Sequence, residues 1–484
     1  MSGADILIIG AGFSGIAMAL EARRAGFSDI LILEKGGDFG GTWRENRYPG
    51  VACDIPSHLY ALARYPKADW RRRYAGGAEI WDYTRGVANR EGLRAVTRFS
   101  CTVTGAEWDQ AARRWRVETA DGQQLSARVL VPAMGPLHVP KLPDIPGLGL
   151  FAGPVLHSAS WDGGIDLAGK HVAVIGAGAS AGQLVPELAR TAARLTVYQR
   201  SAPWVLPHFD YPVPGWLRWL YGNLPGLRRA DRALTFAAQE MKHAVFRGQP
   251  LVSGLVRRIA LWHMARAVRD RDMRRRLTPD YQIGCKRILL SNSWYPALMR
   301  PNVELVTEPV TELRANGVVS AEGTLRRADA LVLATGFRTI DTMAGLPFRG
   351  RGGQCLGQVL RDGAGAYLGA SAAGFPNLFL MLGPNTALGH NSVVLMAEAQ
   401  AAHVVRLLAE MCARGIEAVE PRAEVQARYA DGVQARLARM VWQTGGCTSW
   451  YKDADGRNPT LWPGTVTQFR RLARASGLSD YAAA

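Results

Sequence analysis

Long apolar runs are missing from this chain. Although 48% of its 484 residues are apolar, no stretch approaches the ~18 uninterrupted apolar residues of a membrane-spanning helix. The first residues hold no basic segment leading into an apolar run and a cleavage site, so no secretion signal is expected. Cysteine is sparse and scattered. Its six copies, Cys53, Cys101, Cys285, Cys355, Cys412 and Cys447, include no CxxC pair. That predicts neither a disulfide framework nor a zinc site, and favours a reducing, cytoplasmic setting. Acidic residues are also short, 41 against 58 Lys and Arg, for a net charge of +17. More than half of the excess falls between residues 211 and 280, where 14 Lys/Arg stand against 5 Asp/Glu. No nucleic-acid-binding motif accompanies the charge, so nucleic acid is not an expected partner. Helix packing with solvated basic faces is the expected arrangement; steering of an anionic ligand or peripheral contact with a membrane surface are the alternatives.

What is present is glycine in two patterned places. The apolar run from Ile6 to Ile9 reads as a buried parallel strand and leads into Gly10-Ala-Gly12-Phe13-Ser14-Gly15. A helix from Ile16 to Gly26 and a second strand from Ile30 to Leu33, ending in Glu34, are expected to follow. Gly10 allows the tight turn, Gly12 lets the backbone approach a pyrophosphate, and Gly15 lets helix pack on strand. Glu34 is placed to accept hydrogen bonds from an adenosine ribose.

The pattern returns at a strand from Val172 to Ile175, followed by Gly176-Ala-Gly178-Ala179-Ser180-Ala181-Gly182. Ala181 takes the third glycine position, where a small residue suffices for close packing. Pro186 should cost the following helix a hydrogen bond. Glu34 follows Gly10 by 24 residues, and Arg200 follows Gly176 by the same 24. A carboxylate there repels a 2′-phosphate, whereas a guanidinium can pair with one. The first loop therefore suits FAD or NAD and the second suits NADPH, with a surface salt bridge as the alternative use of Arg200. The expected architecture is α/β, with two Rossmann-like dinucleotide-binding domains. Residues 1–140 and 340–484 would form a discontinuous FAD-binding domain. Residues 141–339 would form the NADPH-binding domain, with a helical insertion at about 205–280. The run ALVLATGF at 330–337 would lead the chain back, as VLVPAMG at 129–135 leads it out.

Two further segments carry a resemblance. Gly40-Gly41-Thr42-Trp43 through Tyr48-Pro49-Gly50 to Asp54 resembles, position for position, the GGxWxxxxYPGxxxD pattern of type I Baeyer–Villiger monooxygenases. Phe151, Gly153, His157 and Trp161 match that family's FxGxxxHxxxW motif. On residues alone, Asp54 could equally cap a helix, and Lys286-Arg287 would read as a solvated strand end. The resemblance implies more. Such enzymes bind FAD, reduce it with NADPH, trap O2 as a peroxyflavin and convert ketones to esters or lactones. By resemblance, Arg287 stabilises the peroxide and oxyanion, Asp54 positions Arg287, and Lys286 lies near the NADPH 2′-phosphate. Gly10, Gly12, Phe13, Ser14, Gly15, Glu34, Lys35, Gly41, Thr42, Trp43, Asp54, Tyr60, Val103, Met134 and Asn385 are the expected FAD contacts. For NADPH they are Gly176, Gly178, Ala179, Ser180, Gln183, Arg200, Ser201, Lys286, Arg287 and Trp450. His390 is a further candidate near the flavin ring. Trp450 would close over NADP and substrate, with Gly445-Gly446 as its hinge. Phe151 to Trp161 would form the joint between the two domains, His157 holding or transmitting the hinge without acid–base work on the ketone. Alternative readings are a nitrogen- or sulfur-oxygenating flavin monooxygenase, an uncoupled NADPH oxidase or flavin reductase, and a non-catalytic FAD/NADPH-binding redox module.

Overall fold

Two sheets, each organised around one glycine loop, set the frame of the molecule. The computed structural model describes residues 2–339, 345, 347–363 and 365–484. In the first sheet, strand Ser2–Ile9 lies parallel between Ile30–Leu33 and Gln124–Pro132. Ile6, Leu7 and Ile8 are fully buried because both faces of this strand are covered. An antiparallel meander, Val103–Asp109, Arg114–Thr119 and Gln124–Pro132, widens the sheet to seven strands, with Thr97–Arg98 and Phe348–Arg349 at its edges. The second sheet has five strands, all parallel, in the order Val303–Val306, Arg194–Tyr198, His171–Ile175, Ala330–Leu333 and Val155–His157. In both sheets the loop-bearing strand has neighbours on either side, so its carboxyl end opens into the crevice where α/β sheets bind ligands.

The first helix runs Phe13–Arg24, starting with a bond from the Ile16 N–H to the Gly12 carbonyl (3.0 Å). It packs on the long helix Val393–Ala413. Helix Ala179–Thr191 continues through Pro186, which is buried among apolar neighbours. Burial of that face outweighs the single backbone bond the proline removes.

Phe151 to Trp161 is not a free connector. Its residues Val155–His157 form the edge strand of the second sheet, in register with Leu331–Leu333. The crossing between sheets lies just before it. The outgoing and returning segments pair side by side, with Lys141 N–H on the Gly336 carbonyl (3.0 Å) and Arg338 N–H on Val139 (3.0 Å). The expected domain boundary at residue 340 lies outside the described residues.

The basic insertion is helical, as expected, with helices Gly215–Asn223, Pro225–Met241, His243–Phe246, Pro250–Ala267 and Arg271–Arg276. Its expected polarity is wrong for helix Pro225–Met241. Here Asp231, Thr235 and Gln239 face inward, while Leu227, Leu234 and Met241 face solvent. The inner face is polar because it meets polar partners: Arg73 pairs with Asp231 (2.9 Å) and donates to Thr235 (2.6 Å), and Arg232 donates to the His58 carbonyl. The insertion thus packs against residues of the first unit, and Val245, Phe246 and Ala260 join that unit's core.

Candidate active site

At the first loop, geometry explains each glycine. Gly10 has φ +106°, and a Cβ on it would press on the Ala133 carbonyl oxygen 2.6 Å away. A Cβ on Gly15 would overlap the Gly10 carbonyl. Gly12 differs: a Cβ there would meet nothing nearer than Gly41, at 3.5 Å. The space before Gly12 is therefore open to a ligand, which is the fit a pyrophosphate requires. Glu34 is buried, with Oε2 accepting from Ala11 N–H (2.7 Å) and Oε1 from Gly36 N–H (2.8 Å) and Arg44 (2.9 Å). A carboxylate has about four acceptor directions, so one on Oε2 is left for a ribose hydroxyl. Arg44, buried beside it, was not among the sequence candidates; it is an unnamed position of the first fingerprint.

Beyond this loop, Phe13, Trp43 and Tyr60 cluster, with the Tyr60 ring 5.3 Å from Phe13 and 5.6 Å from Trp43 in edge-on contact. The Trp43 Nε1–H donates to the Tyr60 hydroxyl (3.2 Å). Thr42 opens a short helix after Gly41, which has φ +52°. Lys35 is exposed, whereas Val103 is buried in the sheet core and Met134 packs against it.

Asp54 caps no helix; turns follow it. Its Oδ2 accepts from Arg287 Nε at 2.7 Å, and the guanidinium's NH2 lies 2.5 Å from the same oxygen. Both side chains remain about a third exposed, at 31% and 34%. The Asp54 charge holds the Arg287 pKa above even its high ordinary value, so this guanidinium stays charged at every working pH. The phenol of buried Tyr451 lies within the same electrostatic field, its pKa raised by burial.

The second loop repeats the first. Gly176 has φ +125° and a Cβ there would collide with the Ala334 carbonyl, just as Gly10 abuts Ala133. Segments 133–135 and 334–336 are therefore structural equivalents, Met134 standing where Thr335 stands. A Cβ on Gly178 would meet nothing within 4 Å, and Ala179 and Ser180 open the helix behind it. Ala181 is fully buried, consistent with its packing role. Arg200 is exposed and, among the described residues, pairs with no carboxylate. Ser201 accepts from Lys286 Nζ at 2.8 Å. Burial and the Arg200 charge together lower the Lys286 pKa. Arg200, Ser201 and Lys286 thus form a basic corner beyond the end of the strand Arg194–Tyr198. Gln183 has a different occupation. Its Oε1 accepts from the Tyr48 hydroxyl (2.8 Å) and its Nε2 donates to the Ala52 carbonyl (2.9 Å). It ties the second loop's helix to the segment between Trp43 and Asp54.

His157 is buried at the crossing of the two units. Its Nδ1 accepts from Ala159 N–H (3.0 Å), and its Nε2 meets Thr335 Oγ1 (3.3 Å). Thr335 gives its own proton to the Lys141 carbonyl (2.7 Å), so Nε2 must carry the hydrogen and donate. This is a neutral tautomer, and burial lowers the His157 pKa accordingly. Phe151 is buried beside Leu331 and Leu333, Gly153 lies against the Asp329 carbonyl, and Trp161 packs on the second sheet's core.

The C-terminal loop corrects two expectations. Cys285 and Cys447 form a disulfide, with Cα atoms 6.1 Å apart. Their sequence separation of 162 concealed a pairing that the fold creates. It fastens the segment carrying Lys286 and Arg287 to the loop after Gly446. Within that loop Trp450 points outward, 45% exposed, and lies against Tyr451, which points in towards Arg287. Tyr451 is the residue that sequence reasoning missed; its only signal was adjacency to Trp450. Asn385 has φ +56° and uses its amide on the carbonyls of Asn458 (2.7 Å) and Leu461 (3.0 Å). His390 is buried between Glu240 and the His243 ring, 3.5 Å from the Glu240 carboxylate.

Two glycine loops, one ending in a buried acid and the other in a basic corner, define an oxidoreductase with two dinucleotide sites. A family model described as Pyridine nucleotide-disulphide oxidoreductase matches residues 7–218. A Streptomyces coelicolor protein named Baeyer-Villiger monooxygenase is 44% identical over 477 residues, which is 98% of this chain and 92% of that protein. A solved oxidized steroid monooxygenase bound to NADP matches with TM-score 0.88 at 29% identity, covering 99% of each chain. OTEMO in complex with FAD and NADP matches with TM-score 0.88 at 26% identity, again over 99% of each chain. This chain belongs to the Baeyer–Villiger monooxygenase family.

Proposed function

We propose that this chain is an FAD-dependent monooxygenase that consumes NADPH and O2 and converts ketones to esters or lactones, with Arg287 as its central catalytic residue. When bound, FAD supplies the oxygen-activating chemistry and NADPH the hydride. The protein supplies placement and charge. Residues 1–140 and 340–484 form the FAD-binding unit, and residues 141–339, with the helical insertion, form the NADPH-binding unit. Gly12, Phe13, Ser14, Glu34, Gly41, Thr42, Trp43 and Tyr60 hold FAD. Gly178, Ser180, Arg200, Ser201 and Lys286 hold NADPH, the last three at its 2′-phosphate.

The observation that carries this reading is the Asp54–Arg287 pair. It brings together residues 233 apart, one ending the first fingerprint and one beside the basic corner. Arg287 presents a permanent positive charge where negative charge develops on substrate oxygen. Asp54, bonded through one oxygen, fixes the guanidinium plane and leaves its outer N–H groups to face the ketone. The buried Tyr451 phenol of the C-terminal loop lies close enough to Arg287 to interact with it electrostatically. The FAD contacts proposed at Gly10, Gly15, Lys35, Val103, Met134 and Asn385, and the NADPH contacts at Gly176, Ala179, Gln183 and Trp450, supply backbone shape or outer walls. Among the described residues no helix is long and apolar enough to cross a membrane. We place the protein in the cytoplasm on its requirement for NADPH, since the disulfide withdraws the cysteine argument.

Product analysis of Arg287→Ala and Arg287→Lys tests the assignment. Both variants should stay yellow and accept hydride from NADPH, while ester yield falls by roughly 100-fold or more for Ala. Asp54→Ala should weaken the same step less. Ester yield near wild type from Arg287→Ala would overturn it.

A further inference from the structure

The helical insertion carries its apolar residues on the wrong side. Among the described residues, twelve of the eighteen exposed large apolar side chains fall between Phe209 and Trp262. In helix Pro225–Met241 the outward positions are Leu227, Ala230, Ala233, Leu234, Ala237 and Met241, and Leu234 and Met241 are each 72% exposed. The inward positions include Asp231, Arg232, Thr235 and Glu240. These are held by Arg73, by the His58 carbonyl, and by Asn391 (2.9 Å) and Thr467 (3.0 Å). A surface helix normally shows the reverse polarity. Because those inward bonds lock its rotation, the helix cannot turn to hide the stripe.

Helix Pro250–Ala267 repeats the arrangement. Leu251, Leu255, Ile259 and Trp262 recur at one-turn spacing on a single exposed face, Leu251 at 90% exposure. Arg258 lies on that face, Arg257 is exposed on a different side of the helix, and Arg266 lies over the Trp262 ring at 4.8 Å. Helix Gly215–Asn223 adds Trp216 and Trp219, three residues apart and so on one face. Among the described residues, no carboxylate pairs with Arg229, Arg257, Arg258 or Arg266.

The charge identifies the occupant. A second copy of this chain would bring the same excess, 14 Lys/Arg against 5 Asp/Glu over 211–280, against itself. The partner must therefore be anionic and also accept Leu, Met and Trp into an apolar layer. We propose that the outer face of helices Gly215–Asn223, Pro225–Met241 and Pro250–Ala267 docks on an anionic lipid bilayer. Tryptophan suits the boundary between headgroup and acyl chain, and arginine can keep its guanidinium among phosphates while its stem lies in the apolar layer. No span is involved; the helices lie in the interface. The same insertion reaches towards the Lys286-Arg287 segment, where a Cβ on Gly284 would meet Phe246 at 3.4 Å.

Vesicle co-sedimentation of the FAD-loaded full chain tests this. Vesicles of phosphatidylglycerol in phosphatidylcholine should pull the protein down, whereas phosphatidylcholine alone should not. Binding should weaken steeply with added salt. Arg258→Gln with Arg266→Gln should weaken it roughly 10- to 30-fold, the cost of two arginines near an anionic surface. Leu234→Gln with Leu251→Gln should abolish it while FAD content and NADPH oxidation stay unchanged, since both side chains are exposed. The proposal is overturned if anionic and neutral vesicles bind alike or not at all. It is equally overturned if the leucine variants bind like wild type, or if sedimentation velocity shows a dimer that the same variants dissociate. Capture of an acidic protein through this face without vesicle binding would also replace it.

Discussion

At the scale of single residues, charge placement separates the two nucleotide sites. Glu34 is buried with Arg44 and the backbone of its own loop, and side-chain exposures of 5% and 7% show that the pair is desolvated. Arg200 is exposed and, among the described residues, has no acidic partner, which leaves it free for an anionic ligand. Arg200→Ala should therefore raise the KM for NADPH by roughly 10- to 100-fold, the range for losing one charge-assisted bond. The KM for NADH should move little, and kcat should hold. Steady-state kinetics with both nucleotides checks this, and an equal rise for both would move the 2′-phosphate elsewhere. Lys286 reports the same anion site from the other side, because its pKa is depressed by burial and by Arg200. A bound dianion would relieve that repulsion.

At the scale of elements, two links hold the site segments in mutual register. The first is the chain from His157 through Thr335 to Lys141, which pins the edge strand of the second sheet to the paired crossing segments. The second is the Cys285–Cys447 disulfide between the Arg287 segment and the C-terminal loop. Under denaturing, non-reducing conditions thiol titration should find four free cysteines, Cys53, Cys101, Cys355 and Cys412, and six after reduction. Reduction or Cys447→Ser should cost roughly 2–4 kcal/mol of stability, measured by denaturant unfolding. It should also release residues 446–451 to proteolysis. Six titratable thiols before reduction would exclude the link. Neither connection was legible beforehand, because each joins residues far apart in the chain through geometry that only the two packed sheets create.

At the scale of the whole molecule, buried histidines set the acid limit. Burial holds His58, His138, His243 and His403 down to about 4, from an ordinary value of 6.5. The unfolded chain takes up these protons near pH 6.5 and the folded one only near pH 4. Stability is therefore full above that window and is lost as pH falls through it. Glu240 acts in the same direction at lower pH: against the burial that would raise its pKa, hydrogen bonds from His390 and the Thr467 N–H lower it, so its contribution is lost only as pH falls below the ordinary carboxylate range. Unfolding followed from pH 7.5 to 4 should show a steep decline below 6.5. His403→Gln should flatten the slope by up to one proton, ~1.4 kcal/mol per pH unit. An unchanged slope in that variant would place the buried histidines outside the acid transition.

Both loop-bearing strands, both glycine turns and the acid and the base that follow the next strand of each unit, Glu34 and Arg200, were legible in the chain alone. They are local: a buried strand, a turn with φ above zero and a helix start are each written within about ten residues. The first fingerprint located Asp54 and the family resemblance pointed to Lys286-Arg287, yet on residues alone Asp54 remained a possible cap and Arg287 a solvated end. Tertiary structure decided that choice by placing Arg287 Nε 2.7 Å from Asp54. It also decided that Tyr451, and not Trp450, faces the pair, that Gln183 and Asn385 use their amides on neighbouring backbone, and that two distant cysteines meet. Composition announced the insertion's positive charge but not the outward turn of its leucines. A helix's rotation is set by what its other face bonds to, and those partners, Arg73, His58 and Thr467, come from elsewhere in the chain.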